Sequence, residues 1–406
     1  MKQPVRSDII ERHNLPTEKP IYTLLIDGNA LFKRSLSTNK KRGDNGAEYG
    51  GVFNSLLQIR VMLAKKDFDY VYCFFDNDGS GYLRYQYYND YKRTRGKHYE
   101  NYGVSEYFKE LRKNEKRMMM AGLYKKSQTT GLSQQERMDY EYNRQRPILQ
   151  DILEELYIRQ IPNVSLVEGD DLIAYYVLHK KPNEKIIIMT GDMDLTQLIA
   201  EDVAIYNLNT DQETMRKYFI TADNSVDTLG FTYKNTALIK TICGDSSDNI
   251  GCIQGFGGED HKTLFKFFPK MQIEEYTLDR VIEEAKALNE EWKATHKQKG
   301  NKNLEAIING VTTWEYKGNI YEINEKIIDL KKPIMTEEAI AEMDAIMYAP
   351  ISIEDRSLGN VMKIVLKNGM TEFKDEDRFA SFFGVFDKIA NKEKRRYAKA
   401  LAGDDE

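Results

Sequence analysis

An α/β fold with a mostly parallel central sheet flanked by helices is predicted for this chain of 406 residues from two observations. First, short apolar runs rich in β-branched and aromatic residues recur in the first half, as in strands buried on both faces. These runs cover residues 21–26, 70–75, 164–167, 186–189 and 203–206. Second, segments with helical spacing, such as Val52, Leu56 and Ile59, alternate with these runs, which is typical of a parallel sheet.

The first half of the chain is predicted to be a core interrupted by one long excursion. Residues 1–20 form a polar leader, and the core extends over 21–219. Residues 79–146 are rich in Tyr, Lys, Arg and Met, with interior glycines, which predicts broken helices exposed to solvent. Pro147 is predicted to open the next helix, because proline is favoured at the first helical position.

The second half is predicted to be a mainly helical region over residues 220–390. Residues 236–241 predict its first helix, which stops at Gly244. A polar insert follows at 283–303, and residues 314–323 predict short β segments around a turn at 317–319. Helices are expected again near 337–347 and 376–389, and residues 391–406 are interpreted as a mobile charged tail.

Charge is distributed unevenly along the chain. The formal net charge is −5, but residues 84–146 contain 15 Lys and Arg against 8 Asp and Glu. Phosphate attraction acts locally, so this basic segment indicates a nucleic-acid partner in spite of the acidic total. Three cysteines without disulfide or metal-type spacing favour a reducing compartment, and no signal peptide or membrane-length apolar run is present. We therefore expect a soluble cytoplasmic protein without a membrane partner.

Nine carboxylates stand at the ends of predicted strands or the starts of predicted helices. They are Asp27, Asp76, Glu168, Asp170, Asp171, Asp192, Asp194, Asp245 and Asp248. Parallel strands deliver their carboxyl ends to one edge of a sheet, where a crowd of carboxylates is tolerable only with bound cations. Each Asp taken alone is equally typical of a helix cap or a turn, but the collection favours a metal site, with Asp171 and Asp248 the members most suited to support or capping.

The donor set predicts both the metal and the reaction. Oxygen ligands alone suit two Mg²⁺ ions, for which Mn²⁺ can substitute, whereas the five histidines are too scattered for zinc. Two such ions about 3.5 to 4 Å apart support an in-line displacement at phosphorus. The predicted reaction class is therefore phosphodiester hydrolysis.

Five segments resemble, in the right order, the signature blocks of the 5′-nuclease superfamily. The segments are LLIDGNALFKRS, FFDNDGSGYLRYQYYNDYKRTR, VEGDDLIAYYV, MTGDMDLTQLI and ICGDSSDNIGCIQGFG. This superfamily includes flap endonucleases, the 5′-nuclease domain of bacterial DNA polymerase I, and phage enzymes called RNase H or 5′-to-3′ exonuclease. The resemblance covers roughly residues 21–268 and implies a PIN-like 5′-nuclease core with a helical arch.

The resemblance also implies roles for individual residues. The nine carboxylates match the metal-binding acids of the family, and Arg84 and Lys92 match a basic pair that contacts the scissile phosphate at the foot of the arch. Tyr91 matches an aromatic residue that stacks on a displaced base, and Arg93 and Arg95 continue the DNA-binding surface. The alternative for Arg84 and Lys92 is a solvated loop face.

Residues 244–257 resemble the helix-three-turn-helix motif through which the family binds duplex phosphates. Gly255, Gly257 and Lys262 are the matching DNA-binding positions, and a potassium ion is common in this motif. The chain departs from the pattern where Gly251-Cys252 replaces the usual Pro-Gly, and where residues 258–260 are added before the second helix. The phosphate register of the motif is therefore open.

The implied function is a metal-dependent, structure-selective 5′ nuclease, with 5′-to-3′ exonuclease, flap endonuclease or RNase H activity, that removes RNA primers or 5′ flaps during replication. Its expected substrate is a DNA or RNA–DNA duplex with a single-stranded 5′ end. We expect a monomer, in the host cytoplasm if phage-encoded, with a single-stranded-DNA-binding protein or replication clamp as a plausible partner. The alternatives are a PIN-type ribonuclease and a catalytically silent nucleic-acid-binding protein.

Overall fold

The computed structural model describes residues 19–38, 40–77, 79–93, 106–161, 164–209, 218–258 and 260–403. Residues 1–18 of the polar leader, Arg95 and part of the excursion lie outside the described residues. Within the described part of the chain, no helix is long and apolar enough to cross a membrane.

A central sheet organises the first half of the chain and confirms the predicted α/β class. Its strands are β1 (Ile21–Asp27), β2 (Tyr70–Phe74), β3 (Glu184–Thr190), β4 (Val203–Asn207) and β5 (Phe219–Ile220). In the described residues the strand order is β2-β1-β3-β4-β5, parallel except for the antiparallel pair β4 and β5. Leu25 pairs with Tyr72 on one side and Ile188 on the other, so the three predicted strands end at the same edge.

Helices cover both faces of the sheet because side chains alternate along each strand. Leu24 and Ile26 pack into one hydrophobic cluster, while Leu25 packs into another. The first half contributes α1 (Gly28–Thr38), α2 (Gly50–Lys65), α3 (Tyr82–Tyr85), α4 (Glu106–Thr129), α5 (Gln134–Glu155) and α6 (Gly169–Leu178). Helices α1, α2 and α5 supply residues to the first cluster, and α6 supplies residues to the second.

The second half is mainly helical, as predicted, and builds a third hydrophobic cluster. Its helices are α7 (Ser225–Leu229), α8 (Thr236–Cys243), α9 (Lys262–Phe267), α10 (Leu278–Thr295), α11 (Lys302–Asn309), α12 (Ile320–Ile328), α13 (Glu337–Ile346), α14 (Leu358–Lys367), α15 (Glu376–Phe383) and α16 (Asp387–Ala402). Helices α8 to α12 surround the third cluster, whereas α14 to α16 return to the first.

Two predictions about the first half are wrong in detail. Residues 164–167 do not form a strand, because Leu166 has a positive φ of 70° that breaks the extended backbone. Pro147 does not open a helix but lies inside α5. That helix begins earlier because Ser133 and Glu136 form a reciprocal capping box at its start.

The predicted β segments at 314–323 are also wrong. Asn319 ends the preceding loop by accepting a hydrogen bond from the backbone N–H of Tyr321, which starts α12. The buried residues of that helix, including Ile320, Asn324 and Ile327, recur with helical rather than alternating spacing. A polar loop followed by an amphipathic helix therefore replaces the expected hairpin.

The predicted mobile tail is wrong for its described part. Residues 387–402 form α16, in which Ile389 and Glu393 are buried. Glu393 makes an ion pair with buried Arg159 at 2.7 Å, which ties the helix to the nuclease-like core. The charge run was a misleading signal because one of its acids is a partner of a core cation.

Candidate active site

Five of the nine predicted carboxylates lie close together at the carboxyl edge of the sheet. We call this set the acidic cluster: Asp27, Asp76, Glu168, Asp170 and Asp192. Asp27 is the last residue of β1, and Asp76 and Asp192 lie two residues beyond β2 and β3. Glu168 and Asp170 lie at the start of α6, which is tied to this edge because the backbone N–H of Gly169 donates to Asp76 Oδ1 at 2.9 Å.

Two short hydrogen bonds fix Asp27 within the cluster. The backbone N–H of Ala30 donates to Asp27 Oδ1 at 2.9 Å, and the hydroxyl of Thr190 donates to Asp27 Oδ2 at 2.7 Å. The same hydroxyl accepts from the backbone N–H of Asp192 at 2.8 Å. Thr190 thus joins the ends of β1 and β3. It was not among the residues predicted from the sequence, although its position at the end of an apolar run was a usable signal.

The carboxylates of the cluster perturb one another. Burial, opposed by the two hydrogen bonds and assisted by the charges of Asp192 and Asp76, raises the pKa of Asp27 to about 6. Burial also raises the pKa of Asp170 well above its usual range, with Asp192 and Asp27 as the largest charge effects. These acids are therefore close enough to repel one another, and a bound cation would relieve this repulsion.

Arg84 and Lys92 border the acidic cluster and are buried rather than solvated. Arg84 makes a two-pronged contact with Asp171, a 3.2 Å contact with Glu168, and donates from Nε to the carbonyl of Ile327 at 2.8 Å. Lys92 contacts Glu168 and lies 3.7 Å from Asp248. Burial opposes the charge of both cations, but these carboxylates raise the pKa of each well above its usual range.

Tyr91 is buried, whereas the family resemblance implies a ring that stacks on a displaced base. Its ring is only 2% exposed, and its hydroxyl donates to Glu168 Oε2 at 2.8 Å and contacts Asp248 Oδ2 at 3.3 Å. Stacking on a displaced base stays a prediction, and it requires the ring to leave this position. Arg93 is exposed, by contrast, and pairs with Asp90 at 2.8 Å.

A second pair of predicted acids, Asp194 and Asp245, is bridged by Lys240. The ammonium of Lys240, on α8, contacts Asp194 and lies 2.8 Å from Asp245 Oδ2. Burial alone would raise the pKa of Asp245, but Lys240 and Ser247 lower it to about 2. Lys240 was not among the residues predicted from the sequence, although it lies in the last turn of the helix that ends just before Asp245.

The carboxylate oxygens of the acidic cluster are the chemical type of ligand that a hard divalent cation prefers. Their positions in this structure do not yet form a coordination sphere. All five members of the acidic cluster offer carboxylate oxygen, and two of them have raised pKa values. Among the described residues, no group of three acidic, Cys or His side chains is already arranged around one point as metal ligands. Lys240, Lys92 and Arg84 instead hold the outer carboxylates, so a bound ion would compete with these cations.

The region that resembles the helix-three-turn-helix motif lies next to the foot of the excursion. The N–H of Lys92 donates to the carbonyl of Asp248 at 2.8 Å, and Asn249 donates to the carbonyl of Asp90 at 2.8 Å. Helix α8 ends at Gly244, and α9 begins after residues 258–261. We call residues 244–257, including Gly255 and Gly257, the motif loop.

Lys262, the predicted phosphate-binding lysine after the motif loop, is already paired. It is exposed at the start of α9, with its ammonium 2.6 Å from Asp260. Asp260 belongs to the added residues in which this sequence departs from the family pattern. The pairing weakens the attraction that Lys262 can offer to a phosphate.

These features define an acidic α/β site of the kind that handles phosphate esters, bordered by buried cations. Residues 22–226 match the family model for the 5′-3′ exonuclease N-terminal resolvase-like domain. The chain belongs to this family, as the sequence resemblance predicted.

The chain is similar to curated relatives over only part of their length. The 5′-3′ exonuclease of Bacillus subtilis is 32% identical over 117 residues, which is 29% of this chain and 36% of that protein. DNA polymerase I of Caldicellulosiruptor bescii is 27% identical over 133 residues, which is 32% of this chain and 16% of that protein. The chain thus spans well under half the length of these two relatives.

Two of the similar solved structures cover most of the chain at low identity. T5 5′-exonuclease with bound zinc aligns with 91% of this chain and 99% of its own, at 14% identity and a TM-score of 0.48. Human GEN1 in complex with Holliday junction DNA aligns with 93% of this chain and 75% of its own, at 13% identity and a TM-score of 0.47.

Proposed function

We propose that this protein is a divalent-metal-dependent, structure-selective 5′ nuclease that cleaves phosphodiester bonds near the single-stranded 5′ end of a duplex. The observation that carries the proposal is the convergence of five carboxylates at the carboxyl edge of the sheet, where burial and, to a smaller extent, neighbouring carboxylates raise the pKa of Asp27 to about 6. Repulsion between such carboxylates is costly to keep in a fold unless a ligand relieves it. Membership of the 5′-3′ exonuclease family supports the same reading.

Mg²⁺ is the cation that the donor set fits best. The residues that would hold it are Asp27, Asp76, Asp170 and Asp192. Glu168 would lie at the edge of this site, where it contacts Lys92. Bound Mg²⁺ ions supply Lewis-acid stabilisation and an activated nucleophile at neutral pH. A pair of ions is the form that we propose, with Mn²⁺ as a substitute. A potassium ion in the motif loop stays a prediction from the family resemblance.

The protein's own cations have a separate task. Lys92 lies close enough to interact with Asp76, Glu168 and Asp248, so its ammonium stands at the rim of the cluster. A positive charge at this rim attracts a phosphate toward acids that would otherwise repel it. It also offsets negative charge that develops on the phosphoryl oxygens. Arg84 positions Glu168 and Asp171 from the buried side.

Two alternatives make different predictions. A PIN-type ribonuclease would share the acidic core but prefer single-stranded RNA. A catalytically silent nucleic-acid-binding protein would have no reason to retain the crowded acids, yet all nine predicted carboxylates are present. The buried network that joins Lys92, Glu168 and Asp248 favours the 5′ nuclease, because it links the acidic cluster to the motif loop.

Labelled substrates distinguish these functions. The full chain is incubated with a 5′-flap DNA duplex, an RNA–DNA hybrid with a single-stranded 5′ end, and single-stranded RNA, each with Mg²⁺ or with a chelator. We expect cleavage of the flap or hybrid near the junction with Mg²⁺ and none with chelator. The ratio of flap to hybrid cleavage measures the balance between flap endonuclease and RNase H activity.

Three results would overturn the proposal. Faster cleavage of single-stranded RNA would favour the ribonuclease. Cleavage that persists in chelator would show that the reaction does not require a divalent metal. Tight binding of the flap without cleavage in Mg²⁺ or Mn²⁺ would favour the silent binding protein.

A further inference from the structure

The polar insert has a defined structure that its sequence did not predict. Helices α10 and α11 form a helical hairpin, and we call the connection between them, with the first residue of α11, the insert loop (residues 296–302). Its sequence, HKQKGNK, places Lys297, Lys299 and Lys302 within six positions. Nothing in the acidic cluster or its bordering cations uses these residues.

The three lysines of the insert loop are exposed, and none of the ion pairs among the described residues includes them. Neighbouring lysines differ in this respect, since Lys293 pairs with Glu290 at 2.8 Å and Lys262 pairs with Asp260 at 2.6 Å. One carboxylate, that of Glu305, lies against Gly300. The loop therefore keeps a net positive charge that is available to a ligand.

The backbone of the insert loop is fixed. The backbone N–H of Asn301 donates to Asn289 Oδ1 at 2.8 Å, and the side chain of Asn301 caps α11. Lys297 and Gln298 have positive φ values of 52° and 62°, which fold the loop tightly after α10. A rigid loop presents its charges at lower entropic cost than a mobile one.

The insert loop lies beside the motif loop. The side chain of Asn303, one residue after the insert loop, approaches Gly255 so closely that a Cβ at Gly255 would lie 2.5 Å from Asn303 Oδ1. The backbone N–H of Gln254 also donates to the carbonyl of Val311 at 2.8 Å. Lys299 is four residues from Asn303, so their Cα atoms are at most about 14 Å apart.

We propose that the insert loop is an additional binding site for the phosphodiester backbone of duplex DNA, next to the motif loop. The proposal rests on the proposed function, because it extends the duplex contact expected at Gly255. Lys297, Lys299 and Lys302 each neutralise a backbone phosphate and release its condensed counterions. This site compensates for Lys262, whose charge is already paired with Asp260. The bound group is the sugar-phosphate backbone, so the contact is independent of base sequence.

Salt-dependent binding of a 5′-flap duplex tests the site. The variant Lys297→Ala/Lys299→Ala/Lys302→Ala is compared with wild type in chelator, so that no substrate is cleaved, by fluorescence anisotropy between about 50 and 200 mM salt. The matched control is Lys363→Ala/Lys367→Ala/Lys388→Ala. It removes the same charge from exposed positions on α14 and α16, which pack on a different hydrophobic cluster.

We expect the insert-loop variant to lower the slope of log affinity against log salt by about two to three, and to bind about tenfold or more weakly near 0.15 M salt. The control keeps the wild-type slope. Shortening the duplex arms stepwise should erase the difference between wild type and variant, because a short arm cannot reach the insert loop. With Mg²⁺ and saturating enzyme, the single-turnover cleavage rate of the variant should stay within about twofold of wild type.

An unchanged slope and affinity in the insert-loop variant would overturn the proposal, as would an equal loss in the control. A loss of cleavage rate at saturation without a loss of affinity would also overturn it, since the loop would then act on the chemistry. Failure of the proposed function is a separate result: wild type would not cleave the flap with Mg²⁺, whatever its affinity for the duplex.

Discussion

The two ends of the central sheet both bury charged side chains, but they surround these charges differently. Glu184, the buried first residue of β3, accepts hydrogen bonds from the hydroxyls of Thr23, Tyr176 and Tyr348 and from the backbone N–H of Lys181. Each carboxylate oxygen therefore has at least two donors. A buried carboxylate in this condition stabilises one packing arrangement and has no capacity left for a ligand.

The ion pair of Arg159 and Glu393 lies on the same side of the molecule. Arg159 follows α5 and bridges to Tyr72 at the edge of β2, and its guanidinium also donates to the carbonyl of Ile346 at 2.8 Å. Glu393 is fully buried and also pairs with Arg396 at 2.7 Å. These contacts attach α16 to the core.

The carboxyl end is built in the opposite way. Asp27, Asp170 and Asp192 face one another, and burial together with this repulsion raises the pKa of Asp170 well above its usual range. The comparison teaches that burial of charge does not by itself identify a functional site. Repulsion between neighbouring buried carboxylates, by contrast, supports the ligand site that we propose at the carboxyl end.

The largest expected effect on stability is at the amino end of the sheet. Glu393→Ala leaves the buried guanidinium of Arg159 without its carboxylate, and we expect the free energy of unfolding to fall by about 3 to 5 kcal/mol. Urea denaturation measures the change. The matched control is Lys388→Ala, an exposed position on the same helix, which should change stability by less than about 0.5 kcal/mol. A loss below about 1 kcal/mol for Glu393→Ala would show that the ion pair is not what holds α16.

The opposite pattern is expected at the carboxyl end. Asp192→Asn removes one of the charges that repel Asp27 and Asp170, so the free energy of unfolding should stay equal or rise. Cleavage of a flap substrate in Mg²⁺ should fall by about 100-fold or more, because the proposed metal site would lose the full negative charge of one oxygen donor. Single-turnover cleavage and urea denaturation measure the two properties.

The control for Asp192→Asn is Asp223→Asn, an exposed aspartate outside the acidic cluster. It should leave both cleavage and stability unchanged. If Asp192→Asn cleaved as fast as wild type, Asp192 would not belong to the reacting site. If it unfolded more easily by over about 1 kcal/mol, the carboxylate would be a structural partner like Glu184.

The smallest effect is expected from one hydroxyl at the amino end. Tyr348→Phe removes a donor to Glu184 and an acceptor for the backbone N–H of Lys181. We expect a loss of about 1 kcal/mol in the free energy of unfolding and no change in cleavage rate. A reduced cleavage rate with unchanged stability would show that the two ends of the sheet are coupled. That result would contradict the assignment of stability to the amino end and of cleavage to the carboxyl end.

The strand ends were predictable because local sequence determines them. A buried strand needs a continuous apolar run, and Asp27, Asp76 and Asp192 come within two residues of such runs. The parallel order then brings the three together without further information. The sequence positions of Thr190 and Lys240 were a partial signal, but the contacts of both side chains depend on which strand and helix become neighbours.

The wrong predictions have different physical causes. Apolar content suggested a strand at 164–167, but Leu166 has a positive φ of 70°, which an extended strand does not allow. Charge suggested a mobile tail at 391–406, but Glu393 has a buried partner 234 residues earlier in the chain. A long-range contact overrides the local pattern in the tail, whereas the capping residues Ser133 and Asn319 are local signals that outweigh Pro147 and the expected hairpin.

Direct Mg²⁺ binding is the most decisive measurement for the acidic cluster. In isothermal titration of the full chain without nucleic acid, we expect saturable Mg²⁺ binding by wild type and by Asp223→Asn, with a binding site lost in Asp192→Asn. Equal binding by wild type and Asp192→Asn, or no binding by either, would contradict the claim that the crowded carboxylates at the carboxyl end of the sheet are reserved for a divalent cation.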